Sequence, residues 1–252
     1  HRLRALALPD FETYAELVCS SDGLPERRYL ISALTTNVSH FFREHHHFDL
    51  VQQARWPVLN ERGRSGQRTR IWSAGCSKGQ EPYSIAMHLL QAEPALADSD
   101  FRILATDIDP RVVAYGQRGT YTAQQASSLD AQWDAFTRSD PATKGVEVSD
   151  HVKACVRFRE LNLLADWPMR SQFDAIFCRN VVIYFDAVTQ NRLWPRFYDA
   201  LAEDGLFFLG HSERIAEPSV CGFKSIGPTA YKKVSKNAYA PASARGDVHG
   251  TT

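Results

Sequence analysis

Residues 71–92 read IWSAGCSKGQEPYSIAMHLLQA. The run Ile71-Trp72-Ser73-Ala74-Gly75 is short, mostly apolar and closed by glycine, which predicts a buried strand. The segment that follows, from Glu81 to Glu93, carries apolar residues at helical spacing. The same alternation recurs along the chain. RILATD (102–107) precedes DPRVVAYG (109–116), VRFREL spans 156–161, and FDAIFC (173–178) precedes the helical AVTQNRLWPRFYDALAE (187–203). GLFFLG (205–210) is a further run. Short buried strands alternating with helices predict an α/β fold with a parallel, doubly wound sheet. GFKSI (222–226) and TAYKKV (229–234), separated by Gly227-Pro228, read as a closing antiparallel pair.

Four pieces lie outside this rhythm. Residues 1–50 read as an N-terminal helical domain, with one helix over Phe11–Val18 started by Pro9-Asp10. A break at Asp22-Gly23 precedes a second helix from Pro25 to Leu34, and a third runs through FFREHHHFDLVQQA (41–54). Residues 51–70 are expected to be a linker, ending in the Arg-rich NERGRSGQRTR (60–70), which reads as a solvated loop. Residues 71–234 then form the main domain. Within it, 120–155 is too long for a plain connection. It holds a polar helical stretch, SSLDAQWDAFTR, a turn, SDPATKG, and a strand pair around VEV and KACVRF, which predicts a small inserted β-subdomain. Residues 235–252 are polar and small and are expected to be a disordered tail. The chain starts at His1 rather than Met, which reads as N-terminal trimming.

The 252 residues are 44% hydrophobic and 23% charged, enough for a packed core in one large domain. Lys and Arg total 29 and Asp and Glu total 29. A chain built to grip nucleic acid carries a basic excess against the phosphates, so that class is disfavoured. No apolar run is long enough to span a membrane, and the first residues lack a signal peptide's apolar stretch. Cys19, Cys76, Cys155, Cys178 and Cys221 form no CxxC pair and are odd in number. That argues against a disulfide framework and against a zinc site, and for a reducing cytoplasm.

Ligands of an open parallel sheet sit at the carboxyl ends of its strands. After the first strand comes Gly75-Cys76-Ser77-Lys78-Gly79-Gln80-Glu81, where glycines let a backbone pass close to a ligand. It is neither GxGxxG nor a Walker loop. Asp107 closes the second strand, where a carboxylate suits the two hydroxyls of a ribose. Asn162-Leu163 follow the third strand, and Arg179-Asn180, then Tyr184, follow the fourth. Together these point to a nucleoside-bearing cofactor.

The strings TTNVSHFFRE, IWSAGCSKGQEPYSIAM, ATDIDP, FDAIFCRNVVIYFD and GLFFLGHSE, in this order, resemble the chemotaxis receptor methyltransferases over roughly residues 3–234. The resemblance implies a class I S-adenosylmethionine-dependent methyltransferase domain, Rossmann-like, with an N-terminal helical domain and a small inserted β-subdomain. It implies transfer of methyl groups from S-adenosylmethionine to glutamate side chains of chemoreceptors, leaving S-adenosylhomocysteine. Cofactor contacts carried over by motif fall on Asn37, Ser39, Arg43, Gly75, Glu81, Asp107, Asn162, Leu163, Arg179 and Asn180. Arg43 and Tyr184 then border the methyl group and the incoming carboxylate. The implied partners are the cytoplasmic helices of chemoreceptors, met by the N-terminal helices and the Arg-rich stretch with Arg62, Arg64 and Arg68. A receptor C-terminal tether at the inserted subdomain remains open. The chain is expected to be a cytoplasmic monomer without metal, nucleic acid or a membrane span. It departs from the family at Lys78 (usually Thr), Gln80 (usually Glu) and Ser39 (usually Thr), the first two adding positive charge beside the cofactor loop.

Residue by residue, blander readings compete. Arg43 alone reads as a surface helix residue and Tyr184 as a core aromatic. Cys76 and Cys178 read as packing residues. Consecutive histidines on a helix diverge, so His45-His46-His47 is not expected to share an ion. Nor do the adjacent His211-Ser212-Glu213 make a hydrolase triad without a GxSxG elbow. A base methyltransferase would carry [DN]PP[YFW] where this chain has Asn180-Val181-Val182-Ile183-Tyr184. A cofactor-binding sensor without catalysis is the remaining alternative.

Overall fold

The computed structural model describes residues 2–35, 37–65, 68–141 and 144–235, without the side chains of 55–60 and 62–64. Strand β1 (Thr69–Ala74) lies near the middle of the main sheet, between β2 (Phe101–Asp107) and β7 (Phe173–Cys178), parallel to both. Its residues are buried almost throughout because both faces are covered. The other main strands are β6 (Val156–Glu160), β8 (Leu201–Leu209), β9 (Phe223–Gly227) and β10 (Ala230–Lys233). The order is β6-β2-β1-β7-β8-β10-β9, with β9 and β10 antiparallel.

Neighbouring residues on each strand serve opposite cores, as strand pleating requires. Ile71, Phe177 and Phe208 pack with Phe48, Met87 and Leu90 on one face. Trp72, Ile176 and Phe207 pack with Trp194 and Phe197 on the other. The first face is covered by α4 (His46–Ser65) and α5 (Gln80–Ala92), the second by α8 (Ala187–Ala200). Helix α6 (Pro110–Arg118) follows β2, capped by Asp109, whose side chain accepts from the Arg111 N–H.

Helices α1 (Arg2–Ala5), α2 (Phe11–Cys19) and α3 (Leu24–Leu34) precede the sheet. Asp10 caps α2, accepting from the Thr13 N–H at 2.9 Å. These helices bury one carboxylate, Glu26, which meets the Arg2 guanidinium and accepts from Tyr14 Oη at 2.9 Å. Helix α3 joins the sheet domain through Ser32, whose hydroxyl donates to Asp109, and through Arg111 over the Tyr29 ring at 4.8 Å.

Several expectations are corrected. The third helix begins at His46 rather than Phe41. Residues 41–45 form turns, and Phe42 and Glu44 adopt left-handed φ of 54° each. Phe42 is held by stacking on Trp133 at 4.1 Å and by the Ser84 hydroxyl on its N–H at 2.9 Å. Residues 51–65, read as part of a linker, belong to α4 instead. Buried Phe48 and Val51 pin its first turns, and the Arg, Glu and Gln that follow are good helix formers. The side chains of Arg62 and Arg64, and all of Gly66 and Gln67, lie outside the described residues, so the Arg-rich face does too.

In the 120–155 region, β5 (Gly145–Val148) pairs antiparallel with β3 (Thr120–Tyr121) and β4 (Thr137–Asp140). The sequence paired VEV with KACVRF. Instead KAC lies in α7 (Asp150–Cys155), and VRF is the edge strand β6 of the main sheet. SSLDAQWDAFTR forms a short 3-10 helix at Ala131–Phe136 and part of β4, not one helix. Buried Trp133 and Phe136 set that bend. Residues 236–252, the expected tail, lie outside the described residues.

His47 fastens α4 to the sheet. It is fully buried, its ring 5.1 Å from Phe208 and its Nε2 facing Thr229 Oγ1 at 3.1 Å and the Pro228 carbonyl at 3.3 Å. Burial, with Arg179 and His46 adding to it, pushes its pKa down to about 4. Below the usual value near 6.5 the unfolded chain takes a proton that the folded chain refuses until about pH 4. Stability therefore falls as pH drops through this window. A shift of this size corresponds to about 3 kcal/mol. His47→Phe should flatten the pH dependence between pH 6.5 and 4, read as the difference in urea midpoints from the native chain.

Candidate active site

One cavity of about 430 Å³ opens at the carboxyl ends of β1, β2, β6 and β7. It gathers every site residue predicted from the sequence. Asn37, Ser39 and Arg43 line it from the segment between α3 and α4. Gly75 comes from the β1–α5 loop, Glu81 from the first turn of α5, Asp107 from the end of β2, and Asn162 and Leu163 from beyond β6. Arg179, Asn180 and Tyr184 come from beyond β7.

The β1–α5 loop turns tightly because Gly75 adopts φ +86° and Gly79 +95°. A Cβ on Gly75 would stand 2.2 Å from Val181 Cγ2, so only glycine lets the two loops meet. Asp107 is held from behind. Its Oδ2 accepts the Ser77 N–H at 2.8 Å and its Oδ1 the Asp109 N–H at 3.0 Å. Each oxygen keeps a further lone pair for a ligand hydroxyl. Burial raises the Asp107 pKa, against the pull of these two N–H groups.

Glu81 is half-buried beside Arg179; desolvation raises its pKa while Arg179 opposes the shift. Ser73 Oγ donates to Glu81 Oε1 at 2.6 Å, and Arg179 Nη1 stands 3.5 Å from Oε2. Arg179 also approaches Glu44 at 3.3 Å and donates to the Arg43 carbonyl. Burial works to raise the Glu44 pKa, but Arg179 and the His211 N–H outweigh it and the net shift is downward. Arg43 is thus fixed at its backbone, between two left-handed residues. Its guanidinium makes a loose ion pair, Nε to Glu44 Oε1 at 3.9 Å. Tyr184 is 63% exposed at the rim, with Leu34 and Val38 nearby in the lining.

The cavity fits a nucleoside-bearing cofactor on its own chemistry. Arg179 Nε and Ser77 Oγ are buried without a hydrogen-bond partner, two groups whose desolvation a polar ligand would offset. Asp107 offers the ribose acceptor, and Ile31, Phe48 and Leu161 offer apolar wall. Lys78 and Gln80, expected to change the charge beside the cofactor, do not line the cavity. Lys78 lies 5.7 Å from the Tyr115 ring and Gln80 is buried. Cys76 and Cys178 are buried thiols whose pKa values burial pushes far up, which makes them inert packing residues.

The sequence reading missed three acids that shape the site. Asp109 accepts from the Asn37 amide at 3.1 Å and from Ser32, drawing the α3–α4 segment onto the sheet. Glu44 links Arg179 to His211, whose Nδ1 lies 3.3 Å from Oε1. Glu213 accepts the N–H groups of Asn180 and Val181 at 2.8 Å each, Ile183 at 3.1 Å and Gly210 at 2.6 Å. It is no triad member but the clamp that sets the loop after β7, including Asn180 at φ 59°. The only sequence signal was that each acid lies within one of the motif strings TTNVSHFFRE, ATDIDP and GLFFLGHSE. Glu213→Ala should strand four backbone donors. We expect a loss of about 3 kcal/mol or more in denaturant unfolding, with weaker cofactor binding as the loop carrying Asn180 and Tyr184 loosens.

A family model described as "CheR methyltransferase, SAM binding domain" matches residues 37–231. A probable chemotaxis protein methyltransferase of Rhizobium etli is 45% identical over 238 residues, covering 93% of this chain and 88% of that protein. Chemotaxis protein methyltransferase 2 of Pseudomonas aeruginosa is 40% identical, covering 91% and 81%. The chemotaxis protein methyltransferase of Escherichia coli is 41% identical, covering 85% and 74%. With this span and these identities, the chain belongs to the CheR methyltransferase family.

Proposed function

We propose that the chain transfers the methyl group of S-adenosylmethionine to glutamate side-chain carboxylates of chemoreceptors, forming methyl esters. One observation carries the reading. A single cavity combines a fixed strand-end carboxylate, a glycine turn and orphan donors with an arginine and an exposed tyrosine. S-adenosylmethionine, when bound, supplies an electrophilic methyl on a sulfonium sulfur. Asp107 holds ribose hydroxyls with the lone pairs left free by Ser77 and Asp109. Arg43 orients the incoming carboxylate, for which its planar fork is suited. A glutamate with a reference pKa of about 4.3 is already ionised at neutral pH, so the chain need not supply a base. Its contribution is alignment and exclusion of water, and alignment alone can supply a large effective molarity.

The rim residues Leu34, Val38 and Tyr184, at 74%, 74% and 63% exposure, give a docking helix apolar surface around the cavity mouth. No described helix is long and apolar enough to cross a membrane. The five cysteines are unpaired, and we take the chain to act in the cytoplasm as a monomer.

Transfer of labelled methyl from S-adenosylmethionine to receptor fragments should give a base-labile label, the mark of a carboxyl ester. Label on tRNA or DNA instead would overturn the reading. Asp107→Ala should cost roughly 1.5–3 kcal/mol of affinity for S-adenosylhomocysteine by calorimetry, the worth of a charged hydrogen bond.

Arg43→Ala should lower single-turnover methyl transfer strongly and keep much of the cofactor affinity. Arg43→Lys keeps the charge but loses the fork, and should also be slow. Tyr184→Phe separates the hydroxyl from the ring. Native single-turnover rates in Arg43→Ala would remove Arg43 from the chemistry.

A further inference from the structure

Behind Phe48, away from the cavity, three side chains converge. His45 ends the 41–45 turn, Asp49 lies one helical turn further in α4, and His88 projects from α5. One potential ligand atom from each lies within 4.8 Å of the others. His45 Nδ1 stands 3.2 Å from Asp49 Oδ2, and the rings of His45 and His88 meet edge-on at 5.8 Å.

His88 is the telling member. It is 8% exposed, and its Nε2 is buried without a hydrogen-bond partner. A buried ring nitrogen left unpaired costs free energy that a ligand would recover. Its two neighbours are half-exposed, at 52% for His45 and 46% for Asp49. An ion can therefore enter from solvent, and water can complete its coordination. We propose that His45, Asp49 and His88 form a binding site for one divalent first-row transition-metal ion, Zn²⁺ by preference, separate from the cofactor cavity.

The donor set decides the class. Two imidazole nitrogens and one carboxylate oxygen suit Zn²⁺, Ni²⁺ or Co²⁺ better than Mg²⁺ or Ca²⁺, which prefer all-oxygen sites. Bonds of about 2.0–2.1 Å place tetrahedral ligands roughly 3.3 Å apart. The present spread of up to 4.8 Å exceeds that, and the half-exposed His45 and Asp49 are the members with room to adjust. The sequence argument that His45, His46 and His47 cannot share an ion still holds. His47 turns inward to Thr229, and only His45 faces His88. The bound ion would tie the turn that carries Arg43 to α5.

The test uses the full chain, stripped with chelator and titrated with Zn²⁺ by calorimetry and with Co²⁺ by absorption. We expect one saturable equivalent. The melting temperature should rise with the logarithm of free metal. Loss of a ligand should weaken binding at least as much as loss of an outer-shell partner, roughly 10–100-fold, in both His45→Ala and Asp49→Ala. These two positions are half-exposed, so the variants should fold, and unchanged circular dichroism checks that. His88→Gln should abolish the equivalent. Its possible misfolding does not blunt the other two. No saturable equivalent, equal affinity in His45→Ala and Asp49→Ala, or a thiolate charge-transfer band with Co²⁺ would each overturn the assignment.

Discussion

The site depends on the Arg179 guanidinium at the carboxyl end of β7. It is buried between Glu44 and Glu81 and donates to the backbone carbonyl of Arg43. Burying such charges is costly, and a buried ion pair is poor evidence of net stability. What it supplies here is position. Three chain segments that share no sequence neighbourhood, the 41–45 turn, the start of α5 and the end of β7, meet on one planar group. Arg43 can then stand beside the cavity although its flanking residues, Phe42 and Glu44, adopt φ of 54°. Left-handed backbone at non-glycine residues costs energy and persists only when its surroundings fix it. Arg179 from one side and the Phe42–Trp133 stack from the other are those surroundings.

The same logic separates what was legible in the sequence from what was not. The strands were legible because both faces of the sheet are covered, so runs such as FDAIFC are buried throughout and apolar but for Asp174. The strand-end residues followed, since the ends of parallel strands are where ligands sit. The motif resemblance added Asn37, Ser39 and Arg43, which no strand rule reaches. The 41–45 turn was misread because FFREHHHF has helical spacing, and nothing in a phenylalanine or glutamate announces a positive φ. The 60–65 stretch was misread for the opposite reason. Its polarity suggested a loop, yet a helix anchored by Phe48 and Val51 can run on through polar residues.

The acids Asp109, Glu44 and Glu213 escaped for a further reason. Each acts on backbone or on another side chain rather than on a ligand, and such pairings span up to 167 positions, as between Glu44 and His211. Sequence distance hides them. Even so, Asp109, Glu44 and Glu213 each lie within one of the motif strings that carry the resemblance, and a charge drawn into a site must find a partner. Asking which donors could satisfy each one would have pointed toward the α3–α4 segment and the loop after β7.

A site that works by aligning a carboxylate against an electrophile has to keep its own carboxylates still. Glu81 and Asp107 both line the cavity, and burial raises the pKa of each. Neither is free to move. Ser73 and Arg179 hold Glu81, and the N–H groups of Ser77 and Asp109 hold both oxygens of Asp107. Glu44 is tied to Arg179 and His211. The one charged side chain in the lining held only loosely is Arg43, and it carries the sign that attracts a carboxylate from outside. On the proposed function, selectivity for a foreign carboxylate over the chain's own would follow from which groups are locked and which one is left to reach.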